Sequence, residues 1–128
     1  LDFLEDAVTR SATRFPAWVA HSAAFDLRWL KWHAWRLRHP VAALIPFDKW
    51  SKRIVDTMAL WQGPDPKGYP KLADIAGFLG LGDKGEGLDG ATVYDAWLAG
   101  EHERIARYCE RDVTILRDVY HRIGGGGE

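Results

Sequence analysis

Only two short stretches of this chain read as strands, and a helix lies between them. "AWVAH", Ala17 to His21, is apolar and β-prone, and "RIVDTMAL" offers a second run at Ile54 and Val55 that delivers Asp56 to its end. In between, Leu27, Leu30, Ala34 and Leu37 recur at helical spacing while Arg28, Lys31, Arg36 and Arg38 point elsewhere, and Pro40 stops the helix. The order is β-α-β with most of a sheet missing, so the expected class is a helix-rich α/β fold. Two short strands do not make an independently stable sheet.

Helices account for the rest. Leu1, Leu4 and Val8 predict a surface helix from Leu1 to about Thr13. "WQGPDPKGYP" is a loop, because its prolines and glycines forbid regular structure. "KLADIAGFLGL" is a short helix with Leu72, Ile75, Ala76 and Leu79 on one face, ended by Gly80 and Gly82. "ATVYDAWLAG" is another. The longest is "EHERIARYCERDVTILRDVYHRI", with Ile105, Tyr108, Cys109, Val113, Leu116, Val119, Tyr120 and Ile123 near one face. No repeat or internal domain boundary is visible, so residues 1–123 read as one domain and 124–128, "GGGGE", as a flexible tail.

With 128 residues, 47% apolar and 27% charged, the chain has the composition of a soluble domain. No apolar run approaches the roughly 20 residues of a membrane helix and no signal-peptide pattern opens the chain, so a cytoplasmic location without membrane contact is expected. The single cysteine, Cys109, excludes an internal disulfide and a multi-cysteine zinc site, and is expected to be a small core hydrophobe. A net charge of -1 excludes a uniformly basic nucleic-acid binder. The charge is uneven, however: Arg28, Lys31, Arg36, Arg38, Lys49, Lys52 and Arg53 face only Asp48 in that stretch, a surplus suited to phosphates or to a solvated helix face.

Several chemistries fall away on spacing. "GEGLDG", Gly85 to Gly90, has the letters of a dinucleotide fingerprint but follows a helix instead of a strand, so it reads as a turn-rich loop. Ser22 adjoins His21, and strand neighbours point to opposite faces, which disfavours a serine hydrolase. The histidines form no H-x-x-x-H pair for zinc.

The carboxylates carry more. Tyr108 lies four residues before Asp112 in "YCERD", so phenol and carboxylate share one helix face a turn apart. Asp112 shares the stripe of Ile105, Val113 and Leu116 and is expected to face inward, where a carboxylate needs a partner. Asp26 sits in the first turn of a helix leaving a buried strand. Carboxylates that converge from separate elements at a strand end hold hard divalent ions. Taken singly, Asp26 reads as a helix cap and Asp112 as an arginine partner.

Together and in this order they resemble a known family. "HSAAFDLRWL" resembles the second motif of the DEDD (DnaQ-like) 3'-5' exonucleases, which expects Asn, two or three residues, an aromatic and Asp. "YCERD" resembles the third motif, Y-x-x-x-D, of the tyrosine-bearing branch. "VDTMAL", "KLADIAGFLGL" and the run from Lys84 to Val113 are similar to bacterial predicted exonucleases related to the proofreading domain of family B DNA polymerases. The resemblance implies a ribonuclease H-like fold, incomplete here, and phosphodiester hydrolysis with two Mg2+ or Mn2+ ions about 4 Å apart. It makes Asp26 and Asp112 metal ligands and Tyr108 the residue that orients the attacking water. Ser22, Phe25, Arg28 and Lys31 become contacts to nucleic acid, most simply the single-stranded 3' end of DNA. One or two of Trp29, Trp32 and Trp35 stack on a base, most tryptophans being expected in the core.

Two departures accompany the match. Ser22 stands where Asn is usual, and the first motif, D-x-E, is absent, with only 25 residues before Asp26. Glu110 and Asp112 diverge by about 200° on their helix and cannot replace it. The chain opens at Leu1 with no methionine before Met58, so it reads as the later two-thirds of an exonuclease domain. It is expected to be nearly inactive alone and to expose a sheet edge to another chain. The alternative is a non-catalytic nucleic-acid-binding or protein-interaction module that keeps the scaffold.

Overall fold

The two expected strands pair in parallel. In the computed structural model, which describes residues 1–11, 16–48, 50–82 and 88–124, β1 (Trp18–Ala20) lies beside β2 (Ile54–Asp56), with Trp18 opposite Ile54 and Ala20 opposite Asp56. The register brings the ends of both strands level, where each hands over to a helix. These are α2 (Ala23–Arg36) after β1 and α3 (Thr57–Gln62) after β2. The remaining elements are α1 (Asp2–Thr9), a 3-10 turn (Pro40–Ala43), α4 (Leu72–Phe78), α5 (Val93–Leu98) and α6 (His102–Ile123). None of the helices is long and apolar enough to cross a membrane.

The chain divides into two compact units, Leu1–Leu60 and Trp61–Glu128, each with its own core. In the first, α2 buries Ala23, Leu27 and Ala34 against Val41 and Ile45, with Trp18, Ala20, Leu30 and Ile54 packed around them. Burying a leucine of this kind contributes about 1.5–3 kcal/mol. Leu37, expected on this stripe, is exposed because α2 ends one residue earlier. Its end is a Schellman turn in which His39 N–H donates to Ala34 O at 2.8 Å and Arg38 N–H to Trp35 O at 3.1 Å. Arg38 holds φ 51 there. Pro40 therefore opens the 3-10 turn and does not itself stop α2.

In the second unit Ile75 and Ala76 of α4 meet Ile115 and Val119 of α6, with Leu72, Leu79, Leu81 and Ile123 around them. The face expected for α4 is thus the buried one. That of α6 needs correction. Val113 is 64% exposed and Cys109 is exposed, not in the core. Both sit well over 100° around the helix from Ile115, off the stripe that α4 covers. Asp112 aligns with Val119 to within about 20°. Yet it too is exposed, because the packed cluster on α6 begins one turn later, at Ile115.

The tryptophans are the largest correction. Trp29, Trp32, Trp35, Trp50, Trp61 and Trp97 are all exposed, and only Trp18 packs against a core. On α2 the cause is helical phase, since residues 29 and 32 lie opposite the Ala23–Leu27–Ala34 stripe. The expected helix to Thr13 ends at Thr9, Thr13 itself lying outside the described residues, and Trp61 and Gln62 belong to α3, not to the loop.

Candidate active site

Asp56 organises the strand ends of the first unit. As the last residue of β2 it precedes α3, and its Oδ1 accepts the Met58 N–H at 2.9 Å, as an N-cap does. The same Oδ1 accepts Ser22 N–H at 2.9 Å and Oδ2 accepts Ala23 N–H at 3.1 Å. One carboxylate therefore serves the N-termini of α2 and α3 together. The cap role open to Asp26 is filled by Asp56, a residue that the sequence delivered to the strand end without assigning it work. Its signal was an Asp directly before a helix start. Beside it, Thr57 is fully buried and shares a 2.9 Å hydrogen bond with His21 Nδ1, while its hydroxyl donates to Ala20 O at 3.4 Å.

Ser22 turns the chain from β1 into α2 in the left-handed region, φ 62 and ψ 57. A serine there is strained, because only Gly, and less readily Asn or Asp, visits this region routinely. Its side chain makes no capping hydrogen bond. The turn sets Asp26 in the first turn of α2, on the exposed surface. Burial of part of its carboxylate pushes the Asp26 pKa up, the charge of Asp56 adds to the rise and His21 opposes it.

The expected nucleic-acid contacts follow along α2. Phe25 is exposed and meets Trp29 edge-on with ring centroids 6.3 Å apart. Arg28 is exposed and lies over the Trp32 ring at 5.7 Å. Lys31 is differently engaged: its ammonium donates to Ala42 O and Ile45 O at 2.5 and 3.1 Å and lies over the Trp35 and Phe47 rings. It ties α2 to the 3-10 turn. Of the other basic residues, Arg53 donates to Leu44 O at 3.3 Å, and Lys49 lies outside the described residues.

In the second unit α6 carries both Tyr108 and Asp112, as their spacing requires. Burial pushes the Asp112 carboxyl up. Tyr108 is half-buried, and its phenol is raised first by burial and then by the negative charges of Asp112 and Asp89. It stays protonated and able to donate. Asp89 comes from the glycine-rich motif, of which residues 85–87 lie outside the described residues. Its Oδ1 accepts the N–H groups of Ala91 and Thr92 at 2.8 and 2.9 Å, and Thr92 Oγ1 accepts Asp89 N–H at 2.9 Å. That reciprocal pair opens the turn into α5. The backbone N–H of Thr92, then that of Ala91, holds the Asp89 carboxyl below its usual range.

A family model described as "Predicted 3'-5' exonuclease related to the exonuclease domain of PolB" matches residues 3–124. The chain belongs to this family. No curated protein and no solved structure matches it. A helix-rich chain with a small parallel sheet is compatible with an α/β exonuclease fold. The family's named activity implies a nucleic-acid substrate and suggests a need for divalent metal.

The donor chemistry suits such a cation. Asp26 and Asp112 offer carboxylate oxygens that burial disfavours as bare anions, and neither accepts a hydrogen bond among the described residues. Asp56, with three N–H groups on its two oxygens, is already committed.

Proposed function

We propose that this chain is the greater part of a 3'-5' exonuclease domain of the DEDD, tyrosine-bearing type, with a ribonuclease H-like fold. The family match across residues 3–124 carries the proposal. In that reading Asp26 and Asp112 would hold two Mg2+ or Mn2+ ions together with the carboxylates of a D-x-E pair, which does not occur among these 128 residues. When bound, the ions supply water activation and neutralise charge at the phosphate. Tyr108, kept protonated by its raised pKa, donates a hydrogen bond that fixes the attacking water. Asp56 keeps the turn that presents Asp26 in place. Ser22, Phe25, Arg28 and Lys31 line the path of a single strand's 3' end, Lys31 through its hold on α2.

With half of its carboxylates absent, the 128-residue chain alone hydrolyses little. The test is Mn2+-dependent release of nucleotides from a 3'-labelled single strand by the protein at its natural length. Asp112→Ala is expected to cost at least about 100-fold, more than the loss of a typical outer-shell partner. Undiminished hydrolysis in that variant overturns the site assignment. The missing D-x-E also supports a second reading, a binding module on the same scaffold. Salt-sensitive, EDTA-resistant binding without hydrolysis at natural length selects it.

A further inference from the structure

The outward face of α2 is apolar in a way that the core does not explain. Phe25, Trp29 and Trp32 fall within about 60° of one another around the helix, directly opposite the buried Ala23, Leu27 and Ala34. All three rings are exposed, two of them 46% and Phe25 58%. They form a continuous series: Phe25 on Trp29 at 6.3 Å, Trp29 on Trp32 at 5.6 Å, and His33 stacked on Trp29 at 5.6 Å. From Phe25 to Trp32 the axial rise is about 10 Å, the length of roughly three stacked bases.

Cations accompany the rings. Arg28 lies over Trp32 at 5.7 Å, and Arg36 is exposed where the same stripe ends. Asp26, at the start of α2, is the only acid in the helix. Alternating aromatic and cationic side chains suit a polyanion whose repeating units have flat faces.

We propose that this face of α2 is a stacking track for unpaired nucleotides, with Phe25, Trp29 and Trp32 taking bases and Arg28 and Arg36 taking phosphates. The choice of nucleic acid as ligand rests on the exonuclease reading, whereas the track itself needs neither metal nor hydrolysis. Stacking on rings tolerates any base, so the track discriminates between single and paired strands and not among sequences.

The experiment is fluorescence anisotropy of a labelled ten-nucleotide single strand with the 128-residue chain in EDTA, so that a failure of hydrolysis does not enter. Binding is expected to fall steeply with salt and to exceed that of the corresponding duplex at least about tenfold. Trp29→Ala with Trp32→Ala is expected to weaken it at least about tenfold, and the Phe replacements at both positions to restore most of it. Tryptophan quenching in the unmutated chain reports stacking even if the alanine variants fold poorly. Equal affinity for duplex, absence of quenching, or a change of oligomeric state in the alanine variants with unchanged binding overturns the track. If hydrolysis at natural length also fails, the exonuclease reading falls separately.

Discussion

A single carboxylate accepting hydrogen bonds from two helix N-termini concentrates local stability in one side chain. Asp56 takes N–H groups from Ser22, Ala23 and Met58, so removing it orphans donors at the starts of both α2 and α3. A lost cap costs about 0.5–2 kcal/mol at one helix. Asp56→Ala should therefore lower the unfolding free energy by about 1–4 kcal/mol, measured by urea denaturation, and a loss below about 0.5 kcal/mol would show that the shared cap carries no such weight. Ser22 bears on the same turn. Its left-handed conformation is one that Asn would hold with less strain, because Asn tolerates φ near +60° better than serine does.

At the level of elements, helix ends decide where the functional groups sit. The α5 entrance depends on the Asp89 carboxylate, whose depressed pKa arises chiefly from the Thr92 and Ala91 backbone N–H groups. A depressed carboxyl stabilises the fold above its unfolded value of about 3.9 and loses that contribution as pH falls through the lower folded value. The unmutated chain should melt above Asp89→Asn at pH 7, and the gap should close below about pH 3.9. A gap that persists into strong acid would point away from the anionic cap. Long periodicity showed α2 and α6, and short apolar runs bounded by turn residues or charges showed both strands and α4, all within a few residues of their expected spans. Tyr108 and Asp112 were legible because i, i+4 spacing needs no tertiary knowledge. Depth was not legible. Asp112 lies in phase with Val119 yet is exposed, because burial depends on what covers a face, whereas Cys109, Val113, Trp29 and Trp32 lie out of phase with the buried stripes of their helices.

An added cation has two places to go, the Asp2, Glu5 and His39 cluster or, on the proposal above, Asp26, and their chemistry differs. Asp2, Glu5 and His39 come close enough to share one. However, His39 Nδ1 accepts the Val41 N–H, which leaves Nε2 protonated and donating to Asp2 Oδ1 at 2.7 Å. That bond, the main reason the Asp2 carboxyl sits low, ties α1 to the 3-10 turn and must break before a metal can bind. Asp26 has no such partner, and burial and Asp56 already disfavour its charge. A cation at Asp26 relieves that cost, so Mn2+ should raise the melting temperature of the chain by several degrees at about 100 times its dissociation constant, a gain of about 2.7 kcal/mol. Without divalent metal, Asp26→Asn should melt higher than the unmutated chain, because it removes the unfavourable charge, and it should lose most of the Mn2+ response. Asp2→Asn should melt lower but keep the response. If the response instead survives Asp26→Asn and disappears with Asp2→Asn, the cation belongs to the α1 cluster and Asp26 is no ligand.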